Sequence, residues 1–167
     1  MNNDWIRNAL TFISLLALQV VILNGIHLFG CATPLLYVLF PIALRQGTPR
    51  WAALLWCFAL GIAVDLFSNT WGMTAASLTL IGMLQPYILP LFTPRDNADA
   101  LLPSAATMGR SRYTLYTAVL VTLHCAIFFT LELFSFFHWQ QWLLNIVGSA
   151  VATLLLVWIA DAIVKTK

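Results

Sequence analysis

The run WAALLWCFALGIAVDLF (residues 51–67), the turn SNT (68–70) and the run WGMTAASLTLIGMLQPYILPLF (71–92) together carry one charged residue, Asp65. Each run is close to the roughly 20 apolar residues that a helix needs to cross a bilayer. The turn between them is too short to hold anything but a tight reversal. This pattern predicts a hairpin of two membrane-spanning helices, the second interrupted by Pro86.

Four further apolar runs flank the hairpin. On the N-terminal side they cover about Asn8 to His27, centred on Phe12 to Leu23, and about Cys31 to Leu44. The second of these is short and holds Pro34 and Pro41, so it is expected to be kinked, tilted or extended back into Leu28-Phe29. On the C-terminal side the runs cover about Tyr113 to Phe137 and Gln141 to Val164. The fold expected is all-α: one transmembrane domain of six helices over residues 1–167, with a polar loop at about 93–112 joining two halves. No repeated motif relates the halves.

Composition agrees. Of 167 residues, 14 are Lys, Arg, Asp or Glu, which is 8%, while 61% are hydrophobic and the mean hydropathy is +0.88. Soluble domains carry roughly 25% charged residues, and a chain of this size could not cover a water-facing surface with so few. Disorder requires the opposite composition. A net charge of +2 is too slight to suggest nucleic acid as a partner.

The positions of the cations say more than their number. Arg7 precedes the first run, Arg45 and Arg50 lie between the second and third, Arg95, Arg110 and Arg112 between the fourth and fifth, and Lys165 and Lys167 end the chain. The other turns, near 28–31, 68–70 and 138–140, have none. Six spans place every cation on one face, which the positive-inside rule makes the cytoplasm, with both termini there. Four or five spans would split the cations between faces. The sequence Leu28-Phe29-Gly30-Cys31 resembles a lipoprotein cleavage box, but Phe29 and the interruptions at Asn24-Gly25 and His27 argue against processing. Cys31, Cys57 and Cys125 are unevenly spaced and are expected to be buried thiols, neither a disulfide framework nor a metal site.

Ionisable residues within the apolar runs are the candidates for function. Asp161 lies four residues before Lys165 and is expected to pair with it on one helix face. Asp65 ends the third run, where the helix dipole disfavours an anion. It is expected either to reach across the turn and cap the fourth run or to form a polar site near the outer face. Glu132 sits among Phe128, Phe129, Phe134, Phe136 and Phe137, with His124, His138 and His27 as its conceivable partners. Asp4, Asp96 and Asp99 are ordinary cytoplasmic acids. Small residues at helical spacing (Gly72, Ala75, Ala76 and Thr79, then Gly148, Ser149 and Ala152) mark close helix contacts.

The chain has no HExxH, no GxSxG, no phosphate loop and no Lys inside a span. A lipoprotein signal peptidase would need two outer aspartates, and only Asp65 qualifies. No catalytic residue, metal or cofactor is expected.

The stretch Gly61-Ile62-Ala63-Val64-Asp65-Leu66-Phe67-Ser68, followed by Gly72-Met73 and Ala75-Ala76, resembles the Gly-xxx-Asp turn of the MreD family of rod shape-determining proteins. Gln19-Val20-Val21-Ile22-Leu23-Asn24, Pro49-Arg50-Trp51 and Pro94-Arg95 add to the likeness. Leu131-Glu132-Leu133-Phe134-Ser135-Phe136 is similar to the versions in Bacteroides-like bacteria. The resemblance covers about residues 10–137.

It implies a non-catalytic scaffold in the bacterial inner membrane, with a fold similar to the S-components of energy-coupling-factor transporters. The implied partners are a bitopic MreC-type protein, a RodA-type glycosyltransferase with its penicillin-binding transpeptidase, the actin homologue MreB and membrane lipids, with a second copy of the chain a further candidate. Asp65, Phe67, Ser68, Gly72, Glu132 and Ser135 would then shape the outward cavity or groove where MreC docks. Two alternatives stand beside it: an S-component that binds a vitamin-type molecule, and an intramembrane lipid-modifying enzyme.

Overall fold

A computed structural model describes residues 2–23, 34–70, 72–93, 102–133 and 139–165. Seven α-helices are present among them: α1 (Asn2–Leu18), α2 (Leu39–Ile42), α3 (Arg50–Ser68), α4 (Met73–Phe92), α5 (Ala105–Met108), α6 (Arg110–Leu133) and α7 (Trp139–Lys165), and no strand occurs among the described residues. Four stretches are long and apolar enough to cross a membrane: Arg50–Ser68, Met73–Phe92, Arg110–Glu132 and Trp142–Ile159. The first expected run gives a shorter apolar helix, Trp5–Val21.

The helices are apolar on their outward faces as well as within. On α3 the buried face holds Ala52, Cys57, Gly61 and Asp65, while Leu55, Phe58, Ile62 and Leu66 point outward. On α7 Ser149, Ala150 and Thr153 are buried, and Val147, Val151, Leu155 and Trp158 are exposed. Leu60 and Val64 on α3 and Ile146 and Val157 on α7 are buried beside them. The interior therefore mixes small and polar residues with large apolar ones, while the outward face is apolar, as a lipid solvent selects.

The expected hairpin is α3 and α4, which run antiparallel in contact along their length. Arg50 meets Tyr87 at one end, a Cβ on Gly82 would touch Cys57, and a Cβ on Gly61 would overlap the backbone of Ala75. α3 ends at Asn69, which adopts a left-handed conformation (φ 56°), a role that Asn shares with Gly. α4 continues through Pro86 and Pro90, as membrane helices can when neighbours satisfy the freed carbonyls.

The second expected run differs from an ordinary span. Over its described part the backbone enters as a non-helical stretch at Pro34-Leu35, forms a 3-10 turn at Leu36–Val38 and then the single turn of α2. This broken segment is nearly all interior: Tyr37, Val38 and Ile42 are at most 1% exposed. Irregular backbone at membrane depth is tolerated only inside protein, with its polar groups satisfied. Here two side chains do that. Gln19, in a π-helical turn (Gln19–Leu23) that extends α1, donates to the Pro34 carbonyl (3.1 Å) and accepts from the Leu36 amide (3.0 Å). Thr153 of α7 accepts from the Leu35 amide (3.0 Å) and donates to the Ser149 carbonyl (2.7 Å). The two prolines foreshadowed the break, and the polar side chains from α1 and α7 are what stabilise it.

Gln19→Leu leaves a buried amide and carbonyl unpaired at a cost of about 1–3 kcal/mol for each orphaned group. Its melting temperature in detergent is expected to fall by several degrees. Thr153→Val is expected to fall by less, since it orphans the Leu35 amide alone. Equal stability of Gln19→Leu and the parent would show that the segment does not depend on this clamp.

The polar loop is less irregular than expected. Its described half contains α5, opened by a reciprocal cap in which the Thr107 amide donates to the Ser104 hydroxyl (3.3 Å) and the Ser104 amide to the Thr107 hydroxyl (3.1 Å). Pro103, Ala105 and Met108 are buried, and α6 starts at Arg110, before the expected Tyr113.

The described arginines collect at one end. Arg7 lines a cavity with Ala43 and Leu44, Arg45 and Arg50 line another with Leu44, and Tyr116, less than two turns after Arg110, packs against Phe92 at the end of α4 and points its hydroxyl at the Ile42 carbonyl (3.5 Å). The α3–α4 turn lies at the opposite end.

Candidate functional site

The site expected around Asp65 forms at the α3–α4 turn. Gly61 and Asp65 are one helical turn apart and share the face of α3 that meets α4. Because Gly61 has no side chain, the α4 backbone at Thr74 and Ala75 comes within van der Waals range of α3. The Asp65 carboxylate is thereby brought to the first turn of α4. One oxygen accepts from the Thr70 hydroxyl (2.8 Å) and the Thr74 amide (3.0 Å), and the other accepts from the Ala75 amide (2.9 Å).

This settles the dipole question raised by its position. The charge lies at the C-terminus of α3, but its hydrogen bonds go to the N-terminus of α4, where an anion is stabilised. It takes the place of a side-chain N-cap, which Gly72 (φ 80°) cannot supply. The Thr70 amide also returns to the Asp65 carbonyl (3.3 Å), so the whole turn closes on one residue that is 6% exposed.

The other expected site residues are distributed around this unit. Ser68 ends α3 and Gly72 precedes α4, so both belong to the same turn. Phe67 is exposed on its outer side. Glu132 is exposed in the last turn of α6 and is not among the partners of Asp65 in these hydrogen bonds. Ser135, His27, His138 and Cys31 lie outside the described residues, as do the side chains of Asp161 and Lys165. Cys57 and Cys125 are buried free thiols, as expected.

Elsewhere in the interior lies a polar pair of which the sequence singled out only His124. His124 of α6 and Tyr37 of the broken segment stack edge to face at 5.3 Å. Both are fully buried; among the described residues the imidazole nitrogens have no hydrogen-bond partner, and the nearest polar neighbour of the Tyr37 hydroxyl is the Thr74 side chain. His124 is therefore packed as an aromatic, between Tyr37 and Phe128, and makes no hydrogen bond to Glu132. Gln19 and Thr153 were also missed as functional positions. A glutamine within an apolar run, and a threonine one turn after a serine, were the available signals.

No protein-family model, curated protein or solved structure matches this chain.

Proposed function

We propose that the protein is a non-catalytic membrane scaffold of the MreD type, serving cell elongation by binding an MreC-type bitopic partner and helping to organise peptidoglycan synthesis in the bacterial inner membrane. On this reading the chain crosses the membrane six times, with the broken segment 34–44 as part of the second crossing. Both termini and the arginine-rich end face the cytoplasm.

The observation that carries the reading is the use made of Asp65. Among the described residues all three of its side-chain hydrogen bonds come from donors of its own hairpin, which is the chemistry of a rigid structural corner. Exposed Phe67, beside that corner, and exposed Glu132, at the same α6 end that the motif 131–136 occupies, supply an aromatic anchor and a carboxylate for a partner. An ionisable group left facing lipid is costly, so Glu132 gains most from an occupant that brings a donor.

The test is co-purification with an MreC-type protein. Phe67→Ala and Glu132→Leu, both at exposed positions, are each expected to lower capture per folded protein at least tenfold, Glu132→Leu with an unchanged melting temperature. Undiminished capture by both variants would move the docking surface elsewhere. Failure of the unaltered protein to capture the partner would overturn the scaffold reading itself.

A further inference from the structure

Where α3 begins and α4 ends, the arginine-rich end of the molecule holds a cavity of about 200 Å³ with two chemically distinct halves. One half presents Arg45, Thr48 and Arg50, and the other presents Leu54, Met83 and Pro86. Among the described residues neither Asp nor Glu lines it. The first turn of α3 adds to the positive potential, because it has no acidic residue and its N-cap, Pro49, supplies no side-chain hydrogen bond.

The Arg50 guanidinium is held in place. It donates one hydrogen bond to the Tyr87 hydroxyl (3.2 Å) and lies 5.3 Å from the centre of that ring. An arginine has five N–H donors in a rigid fork, so this contact orients the group and leaves further donors for an oxyanion.

The mouth of the cavity has the composition of a membrane interface. Exposed Tyr87 lines it and exposed Trp51 follows Arg50 on α3, outside the lining; Trp and Tyr concentrate at headgroup depth. From that level the lining turns apolar toward the membrane interior, through Leu54 and Met83. A site that offers arginines at headgroup depth and hydrocarbon below it matches one kind of molecule.

We propose that this cavity binds an anionic phospholipid, with the phosphodiester on Arg45 and Arg50 and the upper acyl chain along Leu54, Met83 and Pro86. Basic pockets between membrane helices commonly take such headgroups. The inference rests on charge, depth and shape, and stands independently of the scaffold reading. Free phosphate shares the oxyanion chemistry but not the acyl chain, and the measurement separates the two.

Native mass spectrometry and thermal melting of the full chain would use phosphatidylglycerol, phosphatidylcholine and inorganic phosphate as probes. Phosphatidylglycerol is expected to give a retained one-to-one adduct and a rise in melting temperature, and the other two neither. Arg45→Gln with Arg50→Gln is expected to weaken adduct retention at least tenfold. Arg112→Gln, which removes an exposed cation outside the cavity, is expected to leave it unchanged. Met83→Trp, which fills the apolar half with both arginines intact, is expected to lose the adduct too, and so keeps the test valid if the double arginine variant fails to fold. Equal binding of phosphatidylcholine, equal loss in Arg112→Gln, or a full effect from inorganic phosphate would each overturn the proposal.

Discussion

Gly61→Val is expected to yield no folded protein. A side chain at this position meets backbone, which cannot move aside: a Cβ would overlap the Ala75 Cα and sit 2.8 Å from the Ala75 nitrogen and 3.0 Å from the Thr74 carbonyl oxygen. The helices would have to separate, and separation draws the Thr74 and Ala75 amides away from Asp65. Packing and capping are lost together, at amides whose residues, Thr74 and Ala75, are buried, so that each orphaned group carries its desolvation cost. Even Gly61→Ala is expected to reduce the yield of monodisperse protein sharply in size-exclusion chromatography. Gly82 provides the comparison. A Cβ there meets the Cys57 sulfur at 2.8 Å, the end of a side chain that a second substitution can shorten. Gly82→Ala should therefore cost less, and Cys57→Ala should restore much of the loss. Ala75→Gly should restore nothing to Gly61→Val, because the overlap is with backbone. A Gly61→Val protein that melts like the parent would mean that the two helices are not held this closely.

The hairpin was legible because two long apolar runs and an uncharged turn allow few alternatives. The small residues Gly72, Ala75, Ala76 and Thr79 marked the contact face of its second helix, whereas the part of Gly61 on the first was not read. The close of the turn was legible only as a choice, since a sequence does not show which helix end an aspartate between two helices will serve. The broken segment was half legible. Pro34 and Pro41 signalled irregular backbone, but the partners of that backbone, Gln19 and Thr153, lie 15 and 118 residues away. No local pattern connects them. The short helix α5 carried a readable cap in Ser104 and Thr107, obscured by the prolines and acids around it. His124 could be read as a partner for Glu132 because both lie on one helix. Packing decided otherwise, with the ring turned inward against Tyr37.

Asp65→Leu is expected to produce the second large loss, and a graded series there isolates the cause. Leucine matches the apolar surroundings and fills most of the volume, so its cost comes from the orphaned amides of Thr74 and Ala75, at about 1–3 kcal/mol each. Asp65→Asn keeps one carbonyl oxygen that can serve Thr70 and Thr74, but turns an NH2 toward the Ala75 amide, donor against donor. It should melt between the parent and Asp65→Leu. Gly61→Ala combined with Asp65→Asn should cost less than the sum of the two alone, because both changes act on one contact. Additive losses would show that the glycine and the aspartate act separately. Equal melting of Asp65→Leu and the parent would remove the cap from the account altogether. The series also bears on partner binding. If Asp65 acts as a corner of the fold, capture of an MreC-type partner should fall across the series only as far as folded protein falls. A partner-contacting carboxylate would instead lose capture in Asp65→Asn while the fold persists, the pattern expected here of Glu132.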